Sequence, residues 1–124
     1  GLIRHLKNGR AIWYSPDQDY GLKQGVMAPF FGVPAATVTA HRRLIKMSKA
    51  VAIPLYFYRD GDIANPEYKV LIEAQVENLP SEDEVDDATR VNKIIENQLR
   101  IAPTQYMWFH RRFKTRPEGY DKIY

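Results

Sequence analysis

Ser81-Glu82-Asp83-Glu84, followed by Val85, Ala88, Val91, Ile95 and Leu99, constrains the fold of this chain more than any other segment. A serine and three acidic side chains stand where a helix begins. They form a capping box that satisfies orphan amide donors and places negative charge at the positive end of the helix dipole. The apolar residues that follow recur at three- and four-residue spacing, which predicts an amphipathic helix reaching about residue 99. Its stripe has to be buried against another element, and 124 residues have room for one modest core.

The flanking segments supply the partners. Leu2, Ile3 and Leu6 share a helical face and Asn8-Gly9 stops it, so residues 2–8 read as the end of a helix. Arg10 to Tyr14 predicts a short strand that Ser15-Pro16 terminates. Gly21, Gly25, Pro29, Gly32 and Pro34 punctuate residues 15–35, which read mainly as a loop region with brief extended pieces at Val26-Met27-Ala28 and Phe30-Phe31. Ala36, Ala40, Leu44 and Met47 predict a helix over 35–49. Ala50 to Tyr58 is nearly continuously apolar, as in a strand covered on both faces, with Pro54 arguing for an edge or a bulge. After a turn at Asp60-Gly61-Asp62, residues 68–76 alternate, with Val70, Ile72 and Ala74 opposed to Leu71, Glu73 and Gln75. They predict a half-buried antiparallel partner. Pro103 opens a last helix to about Lys114, closed by Arg116-Pro117-Glu118-Gly119. The pattern is α/β, in one domain over 1–124.

Bulk properties exclude several classes. No run approaches the roughly 18 apolar residues that cross a bilayer as a helix. The absence of cysteine excludes disulfides, thiolate metal sites and thiolate nucleophiles. The net charge of +3 is mild, but positive charge gathers in the last twenty residues while residues 81–87 are acidic.

Two constellations carry chemistry. Residues 108–119 interleave Trp108, Phe109 and Phe113 with His110, Arg111, Arg112, Lys114 and Arg116. Arginine forks with neighbouring apolar rings suit an anionic, partly apolar ligand, phospholipid-like or nucleic acid; the same pattern also describes a solvated amphipathic helix with its rings in the core. Asp17-Gln18-Asp19 places two carboxylates and an amide directly after a strand end, where α/β folds gather ligand groups. It equally describes an Asx turn, and without a histidine in register it makes a weak metal site. None of His5, His41 and His110 has an acidic residue five positions later. Ser15, Ser48 and Ser81 lack G-x-S-x-G surroundings, and the spacing of Gly21 and Gly25 gives no nucleotide loop.

Taken in order, W-Y-S-P-D-Q-D-Y-G at 13–21, A-P-F-F-G-V-P-A-A-T-V-T at 28–39, A-V-A-I-P-L at 50–55 and Q-Y-M-W-F-H-R-R-F-K-T-R-P-E-G at 105–119 resemble the late acyltransferases that add secondary acyl chains to lipid A. The resemblance implies an αβα sandwich with a mixed sheet flanked by helices. It implies transfer of a fatty acyl chain from acyl carrier protein to a hydroxyacyl chain of a lipid A precursor, without a cofactor and without nucleic acid, at the cytoplasmic face of the inner membrane. It makes Asp17, Gln18, Asp19 and Tyr20 candidates for holding the acceptor, with Arg111, Arg112 and Arg116 gripping its phosphorylated headgroup or anionic lipid. The family's catalytic H-x-x-x-x-D/E block and its N-terminal anchor are not in this sequence and are expected upstream. No catalytic residue is therefore assigned here, and the chain is expected to be the C-terminal portion of such an enzyme. The alternative is a non-enzymatic basic module that binds nucleic acid or anionic lipid through residues 104–116.

Overall fold

A computed structural model describes all residues from 1 to 124. Its framework is a hairpin. Gly25–Phe30 (β1) and Val33–Val38 (β2) pair antiparallel, with Phe30 opposite Val33 and Gly25 opposite Val38. The connecting Phe31 and Gly32 have φ of 49° and 78°, the primed turn whose twist matches that of the strands. Glycine adopts this readily and phenylalanine does not. Phe31 is held there because its amide donates to Glu96 Oε1 (2.7 Å) and the Arg100 guanidinium covers its ring at 5.3 Å. At the other end a Cβ on Gly25 would lie 2.0 Å from the Thr37 carbonyl oxygen, so only glycine fits.

Most of this hairpin was expected to be loop, and the prolines explain the difference. Pro29 and Pro34 face each other one rung from the turn. The rung that closes a two-residue turn is hydrogen-bonded, so the next is not, and two residues without N–H sit there at no cost to the ladder. Their carbonyls point outward. Asn92 Nδ2 donates to the Pro29 carbonyl (2.9 Å) and Arg116 Nη1 to that of Pro34 (2.9 Å).

Glu84–Leu99 (α3) packs across β1 and β2. Its N-cap is Asp83, whose carboxylate accepts from the amides of Val85 (2.8 Å) and Asp86 (3.0 Å). This corrects the expected cap at Ser81, whose hydroxyl instead bonds the Asp83 backbone. The buried face is also rotated from the expected stripe. Ala88 and Leu99 are buried, but Val85 is 46% exposed, and Asp87, Asn92, Glu96 and Gln98 are buried instead. Phe30, Ala35 and Leu99 form the core, with Tyr56, Ile95, Tyr106 and Phe113 packed around it. Burying a side chain the size of Phe30 contributes about 1.5–3 kcal/mol.

Leu2–Lys7 (α1) packs on Ala40–Ser48 (α2), which starts later than expected because residues 35–38 complete β2. Arg42 of α2 bonds the buried carboxylate of Asp87 and the carbonyls of Asp83 (3.0 Å) and Ser81 (3.2 Å), locking α2 to the start of α3. Leu55–Asp60 (β3) and Glu67–Ile72 (β4) pair antiparallel as expected, with Leu55 opposite Ile72. Tyr56 turns toward the core, but Leu55, Phe57, Val70 and Ile72 form an open face, which corrects the expectation of a strand covered on both sides.

Residues 10–14 form no strand, and the last predicted helix is replaced by two 3₁₀ turns, Pro103–Gln105 and Trp108–His110. Gln105 takes the place of a neighbouring strand: its amide bonds both the N–H and the C=O of Arg59 (2.8 and 2.6 Å). The architecture is α/β, and no helix is long and apolar enough to cross a membrane.

Candidate functional site

The two chemistry-bearing segments meet. The loop of residues 15–21 lies against the tail of residues 106–116. Asp19, 3% exposed, is the joint: its Oδ1 accepts from the Gly21 amide (2.9 Å) and the Thr115 hydroxyl (2.8 Å), and its Oδ2 from the Thr115 amide (2.8 Å). The Gly21 bond is the Asx turn that the sequence allowed; the Thr115 bonds were not foreseen. Four acceptor lone-pair positions with three donors leave little capacity for a ligand.

Asp17, two residues earlier, is half-buried, and its carboxylate lies beside the Tyr106 hydroxyl and takes no amide or guanidinium donor. The Tyr106 hydroxyl donates to the Asp17 carbonyl at 3.3 Å. Burial pushes the pKa of this phenol far up, and the nearby charge of Asp17 adds to the effect, so Tyr106 stays a neutral donor. Gln18 Oε1 accepts from the exposed Tyr20 hydroxyl. Tyr20 is exposed, Asp17 and Gln18 are half-buried, and Asp19 faces in.

The three arginines part company. Arg112 is 1% exposed, and its guanidinium reaches β2 from the side. Nη1 donates to the Ala36 carbonyl (2.6 Å) and Nη2 to Thr37 Oγ1 (2.9 Å) and Asn92 Oδ1 (3.1 Å), with the plane over Phe30 at 5.1 Å. Asn92 completes the group by donating to Thr37 Oγ1 (2.9 Å). Burial lowers the Arg112 pKa, opposed by Tyr106, Asp19 and Asp17. Arg116 binds the Pro34 carbonyl and lies over the Tyr120 ring at 5.4 Å. Pro34 and Ala36 are alternate residues of β2, so the two side chains cap successive outward carbonyls of a strand edge that would otherwise be open. Arg111, with φ of 51°, is exposed and forms no ion pair.

No histidine bonds a carboxylate. His41 is buried, and neither ring nitrogen has a partner; burial lowers its pKa and the charge of Asp87 only partly opposes this. Thr37, Asn92, Tyr106 and Thr115 shape the site, and sequence reasoning missed them all. Thr37, Tyr106 and Thr115 stand inside the quoted motifs without having been given a role, and Asn92 is an amide one position from the expected apolar stripe.

Fold and site together describe a polar rim loop braced by a buried arginine network, in a chain with no imidazole–carboxylate dyad. The chain belongs to the bacterial lipid A biosynthesis acyltransferase family, whose model matches residues 1–115. It is 42% identical to the lipid A biosynthesis palmitoleoyltransferase of Escherichia coli (strain K12) over all of this chain and 40% of that protein, and 41% identical to the lauroyltransferase of the same organism over the same shares. The myristoyltransferase of that organism is 30% identical over 95% of this chain and 36% of its own length. The chain therefore spans about 40% of the length of the curated relatives it matches.

Proposed function

We propose that this chain supplies the acceptor-holding part of an enzyme that transfers a fatty acyl chain from acyl carrier protein to a hydroxyacyl chain of a lipid A precursor, at the cytoplasmic face of the inner membrane. Family membership supports acyl transfer in lipid A biosynthesis. One structural observation supports the finer reading: the Asp17 carboxylate stands in the half-buried rim loop beside the Tyr106 hydroxyl, which burial holds neutral, and no amide or guanidinium of the chain donates to it. Such a carboxylate accepts a hydrogen bond from a hydroxyl of the acceptor, and Gln18 and Tyr20 offer further polar contacts. Exposed Arg111 contributes charge toward a phosphate. Asp19, Arg112 and Arg116 act as positioning residues, because each spends most of its hydrogen-bonding atoms on the chain itself.

Calorimetric titration of the chain with a lipid A precursor in detergent tests this. A lost charged hydrogen bond is worth about 1.5–3 kcal/mol, so Asp17→Ala should weaken binding about tenfold or more with an unchanged melting temperature. Equal affinities for the two proteins would remove Asp17 from the site.

A further inference from the structure

The first 59 residues contain only two carboxylates, Asp17 and Asp19, and neither faces the helices α1 and α2 as an ion-pair partner. Of the cations on those helices only Arg42 is paired, to Asp87. Arg4, Lys7 and Arg43 are exposed and unpaired, and all three line one cleft of about 780 Å³ between α1 and α2. Three like charges that line one cleft with no carboxylate in its lining make a positive potential that a bound anion relieves.

The rest of the lining specifies the anion. Leu2, Ile3 and Leu44 add aliphatic surface, and Tyr14 closes one side. The Tyr14 hydroxyl itself is buried toward His41 at the start of α2, so the ring and not the hydroxyl faces the cleft. Aliphatic walls give nucleic-acid bases no stacking platform, and a free phosphate has no use for them. An amphiphile uses both halves.

We propose that the α1–α2 cleft takes the phosphate headgroup of an anionic phospholipid at a bilayer surface, with Arg4, Lys7 and Arg43 on the phosphate and Leu2, Ile3 and Leu44 against the methylenes next to it. The proposal rests on the membrane placement given above but not on acyl transfer. Its test reads binding alone, so failure to transfer and failure to bind are separate results.

The test is flotation of the chain with vesicles of phosphatidylglycerol or of phosphatidylcholine. The chain should float with phosphatidylglycerol only, and less as salt is raised. Changing Arg4, Lys7 and Arg43 together to Gln should weaken that binding about a hundredfold, from roughly tenfold or less per cation near an anionic surface. The same change at Lys23, Lys114 and Lys122, also exposed, should weaken it far less. Equal losses in the two triple variants would mean diffuse attraction and overturn the site. So would equal flotation with phosphatidylcholine, competition by inorganic phosphate at matched phosphate concentration, or tighter binding to a single-stranded oligonucleotide than to vesicles.

Discussion

Thr115 donates from both its backbone nitrogen and its hydroxyl to the carboxylate of Asp19, each at 2.8 Å, across 96 positions of sequence. This pair fixes the rim loop to the tail, and the tail in turn is fixed to β2 by Arg112 and Arg116. The loop thereby gains a rigid backing that its own residues do not supply, since seven residues without helix or strand have few contacts of their own to hold one conformation.

Asp19→Ala is expected to cost about 2–3 kcal/mol of stability, because the Thr115 amide and hydroxyl and the Gly21 amide all lose a charged acceptor. Urea unfolding measures it. Asp19→Asn, which keeps one acceptor oxygen, should lose less than the alanine variant. A Thr115→Val change should destabilise in the same direction, and its effect should not add to that of Asp19→Ala.

Neighbouring arginines should behave in opposite ways. Arg112→Lys keeps the charge but cannot bridge Ala36, Thr37 and Asn92 at once, and the stranded partners cost about 2–3 kcal/mol. Arg111→Lys should leave stability within about 0.5 kcal/mol of the parent. Thermal melts of the two proteins under one buffer separate a bracing arginine from a surface one.

How much of this was legible beforehand depends on where each residue finds its partner. The existence of α3 and the β3–β4 pairing follow from local signals: acidic residues at a helix start, an apolar period, and a turn between alternating runs. Which face of α3 is buried does not, because Asn92, Glu96 and Asp87 become core residues only through Thr37, Phe31 and Arg42, which lie 45 or more positions away in the chain. The tail reads as a helix by spacing, yet the left-handed Arg111 turns Arg112 inward to outward-facing carbonyls of β2 that no local pattern announces. Pro29 and Pro34 concealed their hairpin, since only their mutual register makes them harmless. In the rim loop the Asx turn that the sequence allowed is made by Asp19, while Asp17 lies half-buried beside Tyr106.

Stability should depend on His41 in a narrow pH window. Burial lowers its folded pKa below the ordinary value of about 6.5, so on acidification the unfolded chain takes up the proton first. Stability is then full above about pH 6.5 and falls as pH drops from there toward the folded pKa, with a slope of at most about 1.4 kcal/mol per pH unit. Denaturant midpoints between pH 7 and pH 5 should show this in the parent and a flatter profile in His41→Gln. Identical profiles would mean that His41 does not titrate differently in the fold.

Incubated alone with acyl carrier protein thioester and a lipid A precursor, the chain should give no acylated product. The commonest general base toward a hydroxyl is an imidazole, here one that a carboxylate would orient, and none of the three histidines bonds a carboxylate. Mass spectrometry of the lipid fraction reads the result, and product above a protein-free control would assign the base to these residues.

The most direct test of acceptor holding is a transplant. These 124 residues replace the matching 40% of the Escherichia coli palmitoleoyltransferase, and transfer to a lipid A precursor is measured with and without Asp17→Ala. The account predicts a chimera that transfers an acyl chain and whose kcat/KM falls more than about tenfold on loss of the Asp17 carboxylate, with the melting temperature preserved. A chimera that melts cooperatively yet transfers nothing, or one whose kinetics are indifferent to Asp17→Ala, would contradict it.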